Sequence, residues 1–437
     1  MAGKVDVLVV GGGMVGAAFA AALAETGLSI VVLDTENPAT IAAAPPATVH
    51  DVEPRVSALT LATQSLLASL GAWQHVPARR ACGYSQMDVW DADGTGSIHF
   101  DAADTGTAAL GWIVENRTVA AALYLACRAH ANIDWRAPVR IAGIARAGRG
   151  WQVTLADGAV FESRLLVGAD GANSQVREQL GFRLRSHDYQ HRAIVATVET
   201  ELPHDDCARQ RFLDSGPLAF LPLADTNKKH RLCSIVWSCV PAEAERLLAL
   251  DDAAFAGDIG HALEDRLGKV VAVSRRAAFP LVERHADSYV QDGAVLIGDA
   301  AHTVHPLAGQ GVNLGFLDAA TLAEEIGRNI ARGLPFDEPL ALRRYERRRK
   351  LHNLVMQKSF AGFKSLFAAR ALPLRWVRNT GMSLLDGLAP LKVLVARQAM
   401  GLDGDLPARC RPPVRGAGLL EAESRKRGRS HIVLRTK

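Results

Sequence analysis

The chain has 437 residues, of which 49% are hydrophobic and 22% are charged, and its formal net charge at pH 7 is +4. This length and balance are typical of a globular protein with two or more cores and argue against a disordered or fibrous chain. Residues 409–437 carry nine Lys or Arg against two Glu, so the preceding body is mildly acidic. We therefore expect no nucleic-acid partner.

The first predicted elements are a strand over 6–10, a glycine-rich turn, a helix, and a second strand over 29–34 that ends in Asp34. This order is the one that a dinucleotide-binding fold requires. Gly11 permits the tight turn, Gly13 lets a pyrophosphate approach the backbone, and Gly16 lets the helix pack closely on the sheet. Asp34, 23 residues after Gly11, can accept hydrogen bonds from an adenosine ribose, with Glu36 as the alternative.

Residues 7–24 form an uncharged run of 18 residues behind Lys4, a pattern shared with signal peptides and short membrane spans. Four glycines in this run would weaken a spanning helix, and the nucleotide turn explains each of them. We therefore expect a cytoplasmic chain made without export. The six cysteines show no C-x-x-C pair and no metal-like grouping with histidines, which is typical of reduced thiols. They are Cys82, Cys127, Cys207, Cys233, Cys239 and Cys410.

The central part of the chain reads as strands joined by tight turns. Residues 151–162 alternate around Asp157-Gly158, which predicts a hairpin. Residues 164–177 then run from an apolar strand through Asp170 into a short helix that carries Arg177. Four further strand-like pieces predict a mostly antiparallel sheet with hairpins at Asp93-Gly94 and at 225–230. They cover residues 87–100, 191–199, 217–223 and 231–239.

A strand-to-helix loop over 298–315 reads as a holder for a flavin. Asp299 follows an apolar strand, and a loop containing proline and glycine then precedes a helix over about 312–330. The loop points free backbone N–H groups outward, the glycines allow a flat ligand to approach, and the helix end favours an anionic ring. The alternative is a purely structural glycine-rich turn. His302 and His305 lack helical spacing and a carboxylate cluster, so we expect no metal here.

From residue 338 to 405 the pattern is helical and begins with the basic run 343–350, which we interpret as a solvated face. The apolar pieces 360–374 and 384–395 either pack in the core or contact a membrane. The basic end, 406–437, is interpreted as a solvated, disordered tail, with contact to anionic lipid or an acidic partner as the alternative.

Taken together, the three motifs at 6–34, 164–177 and 298–315 resemble those of the class A flavoprotein monooxygenases, which are FAD enzymes that hydroxylate aromatic rings. Three further stretches, 54–71, 110–117 and 210–223, are similar to the ubiquinone-biosynthesis ring hydroxylases within that class. The resemblance covers about residues 5–405.

The resemblance implies the positions of the cofactor contacts. Arg55 would lie along the flavin side of FAD, Asn116 takes a position that is Arg or Gln in relatives, and Asp170 and Asp299 would bind the phosphate and ribitol region. The loop 306–313 would border the isoalloxazine ring. As alternatives, Arg55 is a surface cation, the two aspartates are helix caps, and Pro306 stops a strand. The expected cofactor residues are Gly11, Gly13, Met14, Val15, Gly16, Asp34, Arg55, Asn116, Asp170, Asp299, Pro306, Gly309, Gln310, Gly311, Val312 and Asn313.

The expected fold class is α/β, with a Rossmann-like FAD-binding domain, an interleaved, mostly antiparallel β-sheet substrate domain and a C-terminal helical region. The FAD-binding domain is discontinuous over 1–80, 105–180 and 286–345. The substrate domain takes 81–104 and 181–285, the helical region takes 346–405, and the tail takes 406–437.

The resemblance also implies the chemistry. NADH or NADPH would reduce FAD, and O₂ would then give a flavin C4a-hydroperoxide that hydroxylates the ring of a polyprenylated phenol or benzoquinol in ubiquinone biosynthesis. We assign no catalytic side chain. Phe220, Pro222 and Trp237 are candidates for an apolar ceiling over the flavin, or for the core. The expected surroundings are the lipophilic substrate, a ubiquinone-synthesis protein assembly and a peripheral contact with the inner face of the membrane.

Two alternatives stay open. One is a class A hydroxylase of a small soluble aromatic compound. The other is a catalytically silent flavoprotein that scaffolds a quinone-synthesis complex.

Overall fold

The computed structural model describes residues 3–42, 44–92, 96–226, 229–303, 311–368 and 388–412. These residues form three sheets with helices around them. The expected α/β class is confirmed.

The first sheet has eight strands and a parallel centre, ordered β18-β19-β11-β1-β2-β8, with β9 and β10 added through β11. β1 pairs in parallel with both β2 and β11, and residues 7–10 at its end are fully buried. Helix α1 follows β1 directly, as the nucleotide-binding pattern predicts. The hairpin at Asp157-Gly158 is confirmed, because β10 and β11 pair antiparallel on either side of it.

The second sheet has nine strands, ordered β20-β17-β12-β15-β14-β13-β5-β6, with β16 added at β12. Its strand pairs are antiparallel except β13 with β5, which agrees with the expected mostly antiparallel sheet. Its longest strand is β12, whose 17 residues pair with β15, β16 and β17. One face packs on α5 and α6, which the sequence did not predict.

A third sheet has three strands, ordered β3-β7-β4. Its Leu59 and Val114 belong to the core of the first sheet, whereas its Ala58 and Ile113 belong to a core shared with the second. β4 pairs with β7 rather than with β5, so residues 81–84 belong with the FAD-binding segments. The domain boundary at residue 81 stays a prediction, although residues 81–84 pair with a strand of the 105–180 segment.

The strands are β1 Gly3–Val10, β2 Ile30–Leu33, β3 Val56–Leu59, β4 Ala81–Tyr84, β5 Gln86–Asp91, β6 Ser97–Asp101, β7 Gly111–Glu115, β8 Ile133–Arg136, β9 Ile141–Ala147, β10 Gly150–Leu155, β11 Val160–Gly168, β12 Leu184–Thr200, β13 Cys207–Leu213, β14 Gly216–Pro222, β15 Leu232–Cys239, β16 Val270–Val273, β17 Ala277–Ala286, β18 Val290–Gln291, β19 Ala294–Leu296 and β20 His302–Thr303. The helices are α1 Met14–Leu23, α2 Leu61–Ser69, α3 Asn116–Arg128, α4 Gln175–Gln179, α5 Pro241–Ala249, α6 Asp252–Ala262, α7 Gly311–Ala331, α8 Pro339–Ala368 and α9 Ala389–Ala399.

The C-terminal end also differs from the expectation. Leu406 and Cys410 are buried in the core of the first sheet, because a short turn at Ala408–Cys410 packs on α2 and α7. The predicted tail therefore begins later than residue 406. Residues 413–437 and residues 369–374 of the apolar piece 360–374 lie outside the described residues. Within the described ranges, no helix is long and apolar enough to cross a membrane.

Candidate functional site

The glycine turn after β1 brings three stretches of backbone into contact. Gly11 has a φ of +101°, and a Cβ there would lie 2.4 Å from the carbonyl oxygen of Ala169. A Cβ on Gly16 would lie 1.9 Å from the carbonyl oxygen of Gly11. At Gly13, by contrast, no atom of the described residues lies within 4 Å of that position. Gly13 caps the N-terminus of α1 and therefore leaves open space in front of the helix.

Asp34 closes this turn from the end of β2. One carboxylate oxygen accepts the backbone N–H of Gly12 at 2.5 Å, and the other accepts that of Glu36 at 2.8 Å. The two bonds fix the carboxylate beside the turn, while its remaining lone pairs face a groove. This position suits a ribose ligand, as the sequence predicted.

The groove in front of the turn encloses about 840 Å³ and collects predicted residues from distant parts of the chain. It also contains aromatic side chains that the sequence did not single out, namely Tyr124, Trp135 and Phe279. The rings of Tyr124 and Trp135 meet edge to face with their centroids 5.0 Å apart. The predicted residues that line the groove are Gly13, Met14, Asp34, Arg55 and Asn116.

Arg55 and Asn116 lie together at the other end of the groove. The backbone N–H of Asn116 donates to the carbonyl oxygen of Arg55 at 3.0 Å, and the Oδ1 of Asn116 accepts the hydroxyl of Ser57 at 2.6 Å. The exposed Arg55 guanidinium lies over the ring of Phe279, 4.4 Å from its centroid. Arg55 thus adds a positive charge to this wall.

Asp170 acts locally as a cap at the end of β11. Its carboxylate accepts the hydroxyl of Ser174 at 2.5 Å and the backbone N–H of Val176 at 3.1 Å. Burial raises its pKa, and these hydrogen bonds oppose the shift. The buried Arg177 then donates to the carbonyl oxygens of Ala172 and Ala300, which ties the Asp170 turn to the Asp299 turn.

Asp299 follows β19 in a short 3-10 turn. Its side chain is open to solvent at one side but otherwise surrounded by protein, and this desolvation raises its pKa. The positive charges of His302, Arg55 and Arg284 oppose that shift. Asp299 and Arg55, which are distant in the sequence, are therefore close enough to interact electrostatically.

Near the start of α7, two side chains that were expected to contact the cofactor, those of Val15 and Asn313, also have packing partners or hydrogen bonds within the protein. Val15 packs between two glycines, because a Cβ on Gly315 or Gly298 would lie 2.7 Å or 3.1 Å from its methyl groups. The Asn313 side chain is engaged within the protein: its Oδ1 accepts from Thr60 and Thr63, and its Nδ2 donates to Ala58. Gly311 and Val312 begin the helix, whereas Pro306, Gly309 and Gln310 lie outside the described residues.

A buried charge network behind the loop was missed. Asp318 accepts hydrogen bonds from His302 Nε2 at 2.5 Å, Gly298 N at 3.0 Å and Arg349 Nε at 2.8 Å. Burial would raise the pKa of Asp318, but His302 and Arg349 outweigh burial and hold it well below its usual range. Arg349 lies in the basic run predicted as a solvated face, yet its side chain is buried. The prediction is therefore wrong for this residue.

Phe220, Pro222 and Trp237 were candidates either for a ceiling over the flavin or for the core. Phe220 and Trp237 are buried in the core formed with α5 and α6, and Pro222 shares their face of the sheet because strand residues alternate. The opposite face carries Ala219 and Leu221, which pack toward β3, β7 and α9.

Comparison with known proteins agrees with this geometry. The FAD binding domain family matches residues 4–354. The 3-demethoxyubiquinol 3-hydroxylase of Escherichia coli is 36% identical over 399 residues, which cover 91% of this chain and 98% of that protein. The ubiquinone hydroxylase UbiL of Rhodospirillum rubrum is 37% identical over 400 residues, covering 91% and 89%. The crystal structure of p-nitrophenol 4-monooxygenase PnpA from Pseudomonas putida shares the fold, with a TM-score of 0.73 at 20% identity over 91% of this chain and 98% of that one.

Proposed function

Because the chain belongs to the ubiquinone-biosynthesis branch of the FAD-dependent aromatic-ring monooxygenases, we propose that it hydroxylates the ring of a polyprenylated phenol or benzoquinol. The observation that carries this proposal is the similarity to a demethoxyubiquinol hydroxylase along 98% of that enzyme's length. A similarity confined to the nucleotide turn would support FAD binding alone.

The groove residues fit FAD. We propose that the open space at Gly13 and the N-terminus of α1 receive the pyrophosphate, and that Asp34 accepts the ribose hydroxyls. Arg55, Asn116 and Asp299 would hold the flavin half, where the Arg55 guanidinium stabilises electron-rich flavin.

When bound, FAD supplies the electrons and the oxygen activation, with NADH or NADPH as the proposed donor. The chain supplies binding, orientation and exclusion of water. We assign no general base.

A prenylated substrate needs an apolar surface that the tail can reach. Among the side chains described on α8 and α9, several large apolar ones are exposed. We propose that this surface contacts the membrane peripherally and that the substrate reaches the enzyme from there. Contact with a quinone-synthesis protein assembly is a second proposed route for substrate delivery. The exposed residues are Leu351, Leu354, Val355, Leu391 and Leu394.

The test combines a spectrum with turnover. We expect the purified protein to carry the absorbance of oxidised flavin and to oxidise NADH or NADPH faster when a prenylated phenol is present. Oxygen from ¹⁸O₂ should appear in the product ring, as read by mass spectrometry. Comparing the two nucleotides identifies the donor.

The alternatives give different results in the same assay. A hydroxylase of small aromatics would respond to an unprenylated phenol and not to the prenylated one. A silent scaffold would carry flavin without any substrate-stimulated oxidation. Expression in an Escherichia coli strain that lacks its own 3-demethoxyubiquinol 3-hydroxylase adds a cellular test, in which restored ubiquinone would assign this chain the ring position of that enzyme.

A further inference from the structure

Four side chains with metal-binding atoms meet beside the second and third sheets, outside the residues that line the FAD groove. Cys82 comes from β4, His204 and Asp206 come from the loop between β12 and β13, and His230 lies just before β15. The ligand atoms of Cys82, His204 and Asp206 all lie within 4.8 Å of one another. The cysteine pattern gave no hint of this cluster, because 122 residues separate Cys82 from His204.

The distances from Asp206 to the other three ligand atoms approach those of a tetrahedral site. The Oδ1 of Asp206 lies 3.9 Å from the Sγ of Cys82, 3.7 Å from the Nδ1 of His204 and 3.4 Å from the Nδ1 of His230. With Zn–S bonds of about 2.3 Å and Zn–N or Zn–O bonds of about 2.1 Å, neighbouring ligands of a tetrahedral zinc are about 3.4–3.6 Å apart. The three distances from Asp206 therefore exceed tetrahedral spacings by at most about 0.3 Å. The ligand atoms of Cys82 and His204 lie within 4.8 Å of each other and would move closer around the ion.

His204 already has the arrangement of a metal-binding histidine. Its Nε2 donates to the carbonyl oxygen of Leu223 at 3.1 Å, which leaves the lone pair on Nδ1 facing Asp206. The backbone N–H of Asp206 donates to that lone pair at 3.1 Å, a position that a cation would take over. Metal-binding histidines commonly donate their other ring N–H to a backbone carbonyl in this way, which fixes the tautomer and the ring.

The loops that carry these ligands are held in place without an ion. The backbone N–H of His204 donates to the carbonyl oxygen of His230 at 2.6 Å. The Asp225 carboxylate accepts the backbone N–H groups of Lys229 and Arg231, which flank His230, at 3.1 Å and 3.3 Å. An ion would thus find its ligands largely preorganised.

We propose that Cys82, His204 and Asp206 bind one Zn²⁺, with His230 as the fourth ligand. Sulfur, imidazole nitrogen and carboxylate oxygen in a four-coordinate set favour zinc over calcium or magnesium. On binding, the Cys82 thiol gives its proton to water and binds as the thiolate. Four protein ligands make a closed, structural site, which would join β4 of the third sheet to loops of the second.

Binding is measured on the full-length, FAD-loaded protein after chelator treatment. We expect titration calorimetry with Zn²⁺ to give one equivalent, and Co²⁺ to give visible bands with a thiolate-to-cobalt charge-transfer band. Cys82→Ser should remove that band, and both Cys82→Ser and His204→Gln should weaken Zn²⁺ binding by about 100-fold or more, since even outer-shell changes cost up to that much. His230→Asn tests the fourth ligand.

The matched control is Cys207→Ser. Cys207 is also buried and follows Asp206 directly, but its Sγ faces Asp88 at 3.6 Å. Equal zinc affinity in the Cys82 and Cys207 variants would overturn the proposal. So would the lack of one-equivalent binding and of the cobalt charge-transfer band in the unaltered protein, a result that does not depend on any variant folding. FAD content reports whether each variant is folded.

Discussion

At the scale of single residues, Gly13 and Gly16 have different roles within one turn. Gly13 faces open space in the groove, whereas a side chain on Gly16 would collide with the backbone of Gly11. The sequence motif explains why each position is a glycine, and the structure shows that a side chain fits at Gly13 but not at Gly16. A change at Gly13 can therefore test cofactor binding without disturbing the fold.

We predict that Gly13→Val keeps the fold and loses FAD, because the new methyl groups occupy the space proposed for the pyrophosphate. FAD affinity should fall by at least about tenfold, or 1.4 kcal/mol, while circular dichroism stays close to that of the unaltered protein. Gly257→Ala on α6 is the control, since no described atom lies within 4 Å of its added Cβ. Full FAD occupancy in Gly13→Val would refute the assignment of the turn.

His352 gives a residue-scale prediction about pH. Burial, together with the charge of Arg349, lowers its pKa to about 4, compared with about 6.5 in an unfolded chain. Between these values the unfolded chain binds the proton and the folded protein does not, so stability is lost as the pH falls from 6.5 towards 4. At pH 5 the loss from this residue is about 2 kcal/mol.

His352→Gln should therefore lose less stability than the unaltered protein between pH 7 and pH 5, as measured by denaturant unfolding at each pH. His261→Gln serves as the control, because His261 is almost fully exposed on α6. The burial of His285 lowers its pKa as well, so part of the acid sensitivity should persist in the His352 variant. Parallel pH curves for the unaltered protein and both variants would contradict the prediction.

At the scale of elements, α8 carries two neighbouring arginines in different surroundings. Arg349 is buried and bonded to Asp318 and Asn353, whereas Arg348 reaches Glu324, Glu325 and the exposed Asp405. Arg349→Met removes the arginine from the buried Asp318 and leaves His302 as its remaining ion-pair partner. Breaking a buried pair in this way costs about 3–5 kcal/mol. Arg348→Met should cost about 1 kcal/mol, because Arg328 and Arg344 still pair with Glu325.

Chemical denaturation of the two variants side by side measures this difference. His302 also bonds to Asp318 and directly precedes the loop that was predicted to border the flavin. FAD occupancy should therefore fall in Arg349→Met and not in Arg348→Met. If both changes lowered the unfolding free energy equally, burial of the Asp318 network would not increase the contribution of Arg349 to stability.

Elements with a strong local signal were predictable from the sequence. The hairpin at Asp157-Gly158 and the strand, turn and helix at residues 6–24 both combine periodicity with a turn that only certain residues allow. The direction in which individual side chains point was not predictable from the sequence. Arg349 was assigned to a solvated face because a basic run has no periodicity that separates one buried arginine from its neighbours. For Phe220 a position over the flavin and a position in the core both stayed open, because alternation gives two faces and does not say which one is covered by α5 and α6.

At the scale of the whole molecule, the candidate site consists of segments that are far apart in the chain. Arg55 and Asn116 flank the paired strands β3 and β7 of the third sheet, whereas Asp299 follows β19 of the first. Only the packing of these two sheets brings the charges of Arg55 and Asp299 together. The motifs identified these segments without giving distances. Cys82, His204 and Asp206 illustrate the same limit, because a strand and a loop that are distant in the sequence come together in space without any sequence motif.

The C-terminal end supplies the prediction at this scale. Leu406 and Cys410 are buried, Ala408 N donates to Glu324 at 2.7 Å, and Arg409 pairs with Glu25 at 2.6 Å. Truncation after Asp405 removes these contacts and leaves a cavity beside α2 and α7. It should cost about 3 kcal/mol or more, by analogy with the loss of a buried leucine.

Truncation after Pro412 removes seven Lys or Arg and two Glu from the end of the chain but none of those contacts. We expect its unfolding free energy to match that of the full chain. Flotation with anionic vesicles then tests the basic segment separately from stability: lost vesicle binding by this truncation would assign lipid contact to residues 413–437, and unchanged binding would leave it to the apolar side chains of α8 and α9. If both truncations unfold at the same denaturant concentration as the full chain, the packing of 406–412 contributes nothing and the tail begins at 406 after all.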